Sequence, residues 1–330
     1  MKIHSVAVLG AGAVGSYVIW GLSEKKDISL SVIAKGERAE RLKAEGCLIN
    51  GKTYHPEVLT PEEAKGVDLL VVSLKSGALA GALDDIREAV GENTIVMSLM
   101  NGVDSEDIIA DRIGMSHIVY SLIKVASHRD GRGYYFNPDT TIGIIFGETA
   151  DKVSASDKIS EQTLVSDRIK LIDELFAASR LNYRVTEHIK EEMWSKFRLN
   201  VSNNLPQAVL GAGVGCYRDS EHMKAISDGL RHELETIAKA KGIDLSVIDN
   251  SSSRGSAVPP TARYSTLQDI DAKRHTEIDM FSGALMRMGE EFGIPTPYNE
   301  YTYHIIKAIE EKNDGRFDYD KGNEELTYAR

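Results

Sequence analysis

The sequence predicts an α/β N-terminal domain with a mostly parallel sheet, followed by an all-α C-terminal domain. Three observations predict it. Short β-branched runs alternate with helical segments through the first half, a glycine-rich turn links the first strand to the first helix, and strand signals stop near residue 188. A chain of 330 residues exceeds what one hydrophobic core usually organises, so two domains are expected, 1–187 and 188–330.

The strands come first. "SVAVL" at 5–9, "ISLSVIA" at 28–34, "GVDLLVVSLK" at 66–75, "NTIVMSLMNG" at 93–102 and "HIVYSLIKVAS" at 117–127 read as five strands. The third is apolar enough to be buried on both faces of a sheet. Helical segments at 37–45, 76–90 and 104–112 lie between them, which implies right-handed crossovers and parallel pairing. "GRGYYFNPDTTIGIIFGE" at 131–148 reads as a hairpin-like pair, and "NYRVTE" at 182–187 as a last strand. The polar stretch 149–166 reads as a surface excursion into a helix near 166–180. Beyond 188 the expected helices are 188–204, 219–241, 261–272, 276–292 and 298–312, with a loop at 250–260 and a fraying tail after Lys312.

Composition narrows the function classes. The net charge is −11, and no dense block of Lys and Arg offers a track for a phosphate backbone, which argues against nucleic acid as a partner. Two cysteines, Cys47 and Cys216, lack metal-ligand spacing and are too few for a disulfide framework. No apolar run reaches membrane-spanning length, and the run from Met1 into the glycine turn leaves no room for a cleavable leader. A cytoplasmic protein without a metal is therefore expected.

"GAGAVG" spans Gly10, Ala11, Gly12, Ala13, Val14 and Gly15, with the G-x-G-x-x-G spacing that lets backbone approach a pyrophosphate. It follows a strand and opens a helix, the context that gives the pattern meaning and makes the domain Rossmann-type. An NAD site usually carries an acid near the end of the second strand; here stand Ala34 and Lys35, with Arg38 a helical turn on. A cation there pairs with a 2′-phosphate, so NADP(H) is the expected cofactor. Lys75 and Asn101 fall at the carboxyl ends of later strands, where ligands collect in such sheets.

The C-terminal half offers a second cluster. Ile189, Met193, Phe197 and Val201 recur every four residues as a core-facing stripe. Beside it run Lys196, Asn200 and Asn204. Asparagine is a poor helix former, so its repetition next to a buried stripe points to a cleft wall, and Pro206 is expected to end or kink this helix. In "STLQDIDAKRHTEID" the spacing of Thr276 and Asp279 resembles a capping box, which predicts a helix start with Glu277 in its first turn, while Ser265 and Asp269 share a face.

These segments, together with "IAKGER", "SLKS", "LMNG" and "MWSKFRLNVSNN", resemble the ketopantoate reductase (2-dehydropantoate 2-reductase) family along nearly the whole chain. The resemblance implies hydride transfer from NADPH to 2-dehydropantoate, giving pantoate for coenzyme A synthesis. It implies that Lys196 donates the proton, that Asn200, Asn204 and Ser265 contact substrate, and that Asn101 lies between nicotinamide and substrate. Lys75 and Glu277 are implied as cofactor-side or substrate-side contacts, Ser127 as a cofactor-side contact, and a small 2-keto acid as substrate; a second copy of the chain is a further expected partner. Lysine is protonated at neutral pH, and an ammonium near a ketone oxygen both stabilises developing charge and supplies the proton. Two positions depart from the family pattern: Met100 where Gln is common, and Lys35 where Arg is common. The alternatives are a reductase of another 2-keto acid and a non-catalytic NADP-binding sensor.

Overall fold

A computed structural model of the chain describes residues 2–149, 166–248 and 258–318. The expected surface excursion after 149, most of the loop at 250–260 and the end of the tail lie outside the described residues. The chain divides into two compact units, Met1–Met193 and Trp194–Arg330.

In the first unit the strands are β1 (Ser5–Leu9), β2 (Ser29–Ile33), β3 (Cys47–Ile49), β4 (Lys52–Tyr54), β5 (Glu57–Leu59), β6 (Leu69–Val72), β7 (Ile95–Ser98), β8 (Ile118–Lys124), β9 (Ser127–Asp130), β10 (Gly133–Phe136), β11 (Gly143–Gly147) and β12 (Tyr183–Val185). Eight of them form one sheet in the order β12-β11-β8-β7-β6-β1-β2-β5. Taken along the chain, its parallel part β5-β2-β1-β6-β7-β8 is the 3-2-1-4-5-6 order of a doubly wound dinucleotide-binding sheet. Strand β11 runs antiparallel to β8, and β12 parallel to β11. Every residue of β6 and β7 is buried, as expected of strands covered on both faces. The order reverses between β1 and β6, whose starts are pinned together by Asp68: its carboxylate accepts the His4 N–H at 2.8 Å and the Ser5 N–H at 2.9 Å.

Two expectations are corrected. Strands β3, β4 and β5 were not expected; with only three residues each they have no periodic pattern of their own and gain their identity from pairing, β3 with β4 and β5 with β2. The segment 131–148 is not a hairpin: β10 pairs with β9, and β11 with β8. Strands β4, β3, β10 and β9 make a second, four-stranded sheet. Asn50 and Gly51, both at positive φ (48° and 78°), turn β3 into β4.

The second unit is helical. Phe197, Val201, Leu205, Leu230, Leu234, Phe281, Leu285 and Ile306 are buried in it. The stripe Ile189, Met193, Phe197 and Val201, whose first two members belong to the first unit, is 4% exposed or less throughout. Glu221–Ala240 is its longest helix, N-capped by Ser220. Glu233 of that helix, itself buried, accepts the Tyr298 N–H at 2.8 Å and the Asn299 N–H at 3.0 Å, and so caps the helix Pro297–Asn313.

The capping box is also corrected. Thr276 starts no helix: its N–H and hydroxyl both bond the Glu310 carboxylate at 2.7 Å. A short 3-10 turn Ile278–Met280 follows, and the helix proper is Ser282–Phe292. Nor does Pro206 end its helix. Ile189–Leu199 passes into a π-helical turn at Asn200–Asn204 and resumes as Leu205–Leu210, with Pro206 in the first turn, where a missing N–H is tolerated.

Candidate active site

The turn after β1 stands at the reversal of strand order. Gly10 has φ +107°, and a Cβ on it would lie 2.7 Å from the Ser73 carbonyl oxygen, so this bend needs glycine. A Cβ on Gly15 would lie 2.0 Å from the Gly10 carbonyl oxygen, so the helix Ala13–Leu22 can approach the strand only with glycine there. Gly12, by contrast, faces open space, with nothing within 4 Å of its virtual Cβ. With no acidic residue in the first helical turn, the positive helix end at Ala11, Gly12, Ala13 and Val14 carries no compensating charge. Close packing below and openness above is the shape that a pyrophosphate requires.

Ser73 was not singled out in the sequence. It follows β6, and its hydroxyl donates to the Gly10 carbonyl at 2.7 Å, bracing the turn from the neighbouring strand. The signal was available: it is the first polar residue after the fully apolar run 69–72.

Lys35 is the N-cap residue of Gly36–Glu45 and is exposed, with its ammonium 2.5 Å from Asp85. That carboxylate, through its hydrogen bond, raises the lysine pKa. Lys75 is likewise exposed, at the N-cap of Ser76–Ala89. Asn101 is half-buried in the turn between β7 and the helix Ser105–Ile113, with Gly102 at φ +92° beside it. Behind this turn lies a buried polar chain. The Ser98 and Ser105 hydroxyls are 2.8 Å apart, Ser105 reaches the Glu106 carboxyl at 2.8 Å, and the Ser121 hydroxyl donates to the Ser98 carbonyl at 2.6 Å. Burial pushes the Glu106 carboxyl up to about 8. Ser127 lies beyond the end of β8: it opens β9 of the smaller sheet, paired with Phe136.

In the helical unit the structure brings two expected substrate contacts together. The Asn204 side-chain amide donates to the Asn200 side-chain oxygen at 3.3 Å. Lys196, one turn earlier on the same helix, is half-buried, as is Asn200, while Asn204 is buried. Ser265 is exposed at the start of Ser265–Asp271, and buried Asp269 on that helix pairs with Arg274 at 2.8 Å. Glu277 is buried at the N-cap of the 3-10 turn, next to the Thr276–Glu310 contact. An apolar hollow of about 470 Å³, lined by Pro206, Leu210, Ile226, Tyr298 and Tyr301 among others, contains none of the expected site residues. Among the described residues no group of His, Cys, Asp and Glu could hold a metal ion.

Comparison with known proteins gives consistent matches. Residues 6–148 match the family model described as Ketopantoate reductase PanE/ApbA, and residues 188–310 match the one described as its C terminal part. A 2-dehydropantoate 2-reductase of Mesorhizobium japonicum is 25% identical over 329 residues, covering 92% of this chain and 97% of the relative. Among solved structures, a PanE/ApbA family ketopantoate reductase from Ralstonia eutropha superposes with a TM-score of 0.78 at 22% identity, covering 94% of this chain and 99% of that one. D-mandelate dehydrogenase, solved with NADH and anilino(oxo)acetate, gives a TM-score of 0.74 at 22% identity with the same coverage.

Proposed function

The chain belongs to the ketopantoate reductase family, and from that premise we propose that it reduces 2-dehydropantoate to pantoate with NADPH. The observation that carries the reading is the one helix on which Lys196 precedes the bonded pair Asn200 and Asn204.

A nicotinamide cofactor, when bound, supplies hydride to the keto carbon. The glycine turn from Gly10 to Gly15 fits its pyrophosphate, and Lys35 the 2′-phosphate. Lys75, Asn101, Ser127 and Glu277 are proposed as further contacts. Lys196 holds the proton that the ketone oxygen takes up, and its positive charge offsets the negative charge that develops there. Asn200, Asn204 and Ser265 hold the carboxylate and hydroxyl groups through neutral hydrogen bonds, leaving Lys196 as the only cation among these four. In a chain of net charge −11 that local cation is what draws in an anionic keto acid.

A second reading, reduction of a different 2-keto acid, is favoured by the likeness to D-mandelate dehydrogenase. Steady-state assays with ketopantoate, 2-oxoisovalerate, pyruvate and phenylglyoxylate, each with NADPH and NADH, separate the two. Ketopantoate with NADPH is expected to give the highest kcat/KM; a value no better than the others would discard the first reading. Lys196→Ala tests catalysis against mere sensing. It is expected to lower kcat by orders of magnitude with little change in NADPH affinity, and a mutant with wild-type turnover would remove Lys196 as the acid. A cytoplasmic homodimer completes the proposal. Light scattering that returned the 36.3 kDa of a single chain would discard the dimer.

A further inference from the structure

An α-helix bonds each N–H to the carbonyl four residues back, and the wider turn at Asn200–Asn204 interrupts that ladder. Two residues downstream absorb the interruption. Pro206 has no N–H to satisfy. At Gln207 a foreign hydroxyl enters the ladder: the Gln207 N–H donates to the Tyr217 oxygen at 3.0 Å, and Tyr217 donates in turn to the Asn203 carbonyl. A straight helix would join those two backbone groups directly.

Tyr217 belongs to the short helix Cys216–Asp219, and the segment before it is bonded to the chain that leads into Ser265. The Val214 N–H donates to the Ala262 carbonyl at 3.0 Å, and the Gly215 N–H to the Pro260 carbonyl at 2.9 Å. These segments touch backbone to backbone, since a Cβ on Gly213 would stand 2.3 Å from the Pro260 carbonyl oxygen. The buried Gln207 side chain closes the ring. It donates to the Ala262 carbonyl at 2.9 Å and accepts the Tyr264 N–H at 2.7 Å, one residue before Ser265.

We propose that Tyr217 and Gln207 are positioning residues for the 2-keto acid site: Tyr217 holds the π turn that presents Asn200 and Asn204, and Gln207 locks that turn to the backbone ending in Ser265. The inference rests on the reductase reading above. The three expected substrate-holding side chains come from two segments more than sixty positions apart, Asn200 and Asn204 on one and Ser265 on the other. Their mutual geometry is therefore set by whatever joins the segments, and small misplacements of such groups are costly to catalysis. The Tyr217 hydroxyl and the Gln207 amide are joints of that kind: Tyr217 stands on another piece of chain and both its hydroxyl bonds go to the carrier helix, whereas Gln207 stands on the carrier helix and both its amide bonds go to the segment ending in Ser265.

The test is a double-mutant cycle on the full chain, combining Tyr217→Phe with Asn200→Ala, with Gln207→Met as a second, independent entry to the same joint. Tyr217→Phe is expected to raise KM for the keto acid about tenfold, the size of one lost hydrogen bond, with NADPH affinity unchanged. In the Asn200→Ala background the same substitution is expected to change KM less than twofold, because the group it positions is gone. Additive effects, or wild-type kinetics in both Tyr217→Phe and Gln207→Met, would overturn the proposal. Wild-type turnover on the keto acid panel separates the two failures: a wild type that reduces none of them overturns the reductase reading itself. Hydrogen exchange over 199–208 reads the joint without any substrate; it is expected to quicken in Tyr217→Phe, and unchanged exchange would overturn the positioning role.

Discussion

Two alanine substitutions in one turn, Gly12→Ala and Gly15→Ala, should fail in opposite ways. A methyl on Gly15 would sit 2.0 Å from the Gly10 carbonyl oxygen and 2.8 Å from the Ser73 hydroxyl oxygen, far inside van der Waals contact. Gly10 has little room to retreat, because its own α-carbon faces the Ser73 carbonyl, which a Cβ would meet at 2.7 Å. Overpacking of this kind costs about 1–3 kcal/mol. For a unit of this size that lowers Tm by about 2–12 °C, at roughly 2–4 °C per kcal/mol. Gly12 has φ −87°, which alanine adopts freely, and nothing lies within 4 Å of the new methyl. The loss there is a poorer helix cap, worth a few tenths to about 1 kcal/mol. Its methyl projects instead into the space proposed for the pyrophosphate, so Kd for NADPH should rise by about tenfold or more. Thermal melts without cofactor and NADPH fluorescence titrations read the two effects separately. A Gly12→Ala protein that binds NADPH as tightly as wild type would refute the placement of the phosphates over Gly12. A Gly15→Ala protein that melts with wild type would refute the close approach.

Other outcomes can be checked with simple assays. Folded Glu106 titrates near 8 against an ordinary 4.5, so between those values the folded state holds the extra proton and stability falls as pH rises, levelling off above the upper value. Urea unfolding from pH 5 to 8 should show that fall in wild type and a flatter curve in Glu106→Gln; parallel curves would mean that Glu106 ionises normally. Asp85→Asn frees Lys35 from its 2.5 Å partner and should raise the kcat/KM preference for NADPH over NADH, whereas Lys35→Asp should lower it. If neither substitution moves the ratio, the 2′-phosphate contact lies elsewhere, with Arg38 the next residue to test. Glu233→Ala leaves the Tyr298 and Asn299 N–H groups without their acceptor at a buried helix end and should destabilise the protein by about 2–4 kcal/mol, measured as a lower urea midpoint.

What could be read from the sequence was what is local in it. The glycine turn and its flanking strand and helix lie within 18 consecutive residues, and their spacing carries the geometry. The stripe of Ile189, Met193, Phe197 and Val201 announced a buried helix face by its period alone, and all four are buried. Strand β5 could not be read, because its three residues become a strand only against β2. The apparent capping box at Thr276 failed for the same kind of reason: its hydroxyl is taken by Glu310, 34 positions away. Pro206 is expected to end or kink the helix only on the assumption of regular α geometry, whereas it stands in the first turn after a π turn, where a missing N–H is tolerated. Gln207 and Tyr217 act through backbone groups of other segments and leave no motif, and Ser73 leaves only its place as the first polar residue after an apolar strand.

The π turn also changes how this helix should be matched to others. A turn that takes in one residue more than an α-helical turn rotates everything after it by about 100° relative to an uninterrupted helix. Placing the chain residue for residue against a straight helix would then assign Ala208, which is buried, and Leu210, 55% exposed, to the wrong faces. Against a straight helix the correspondence would carry a one-residue gap within 200–204, which returns the residues just beyond the two asparagines to their faces.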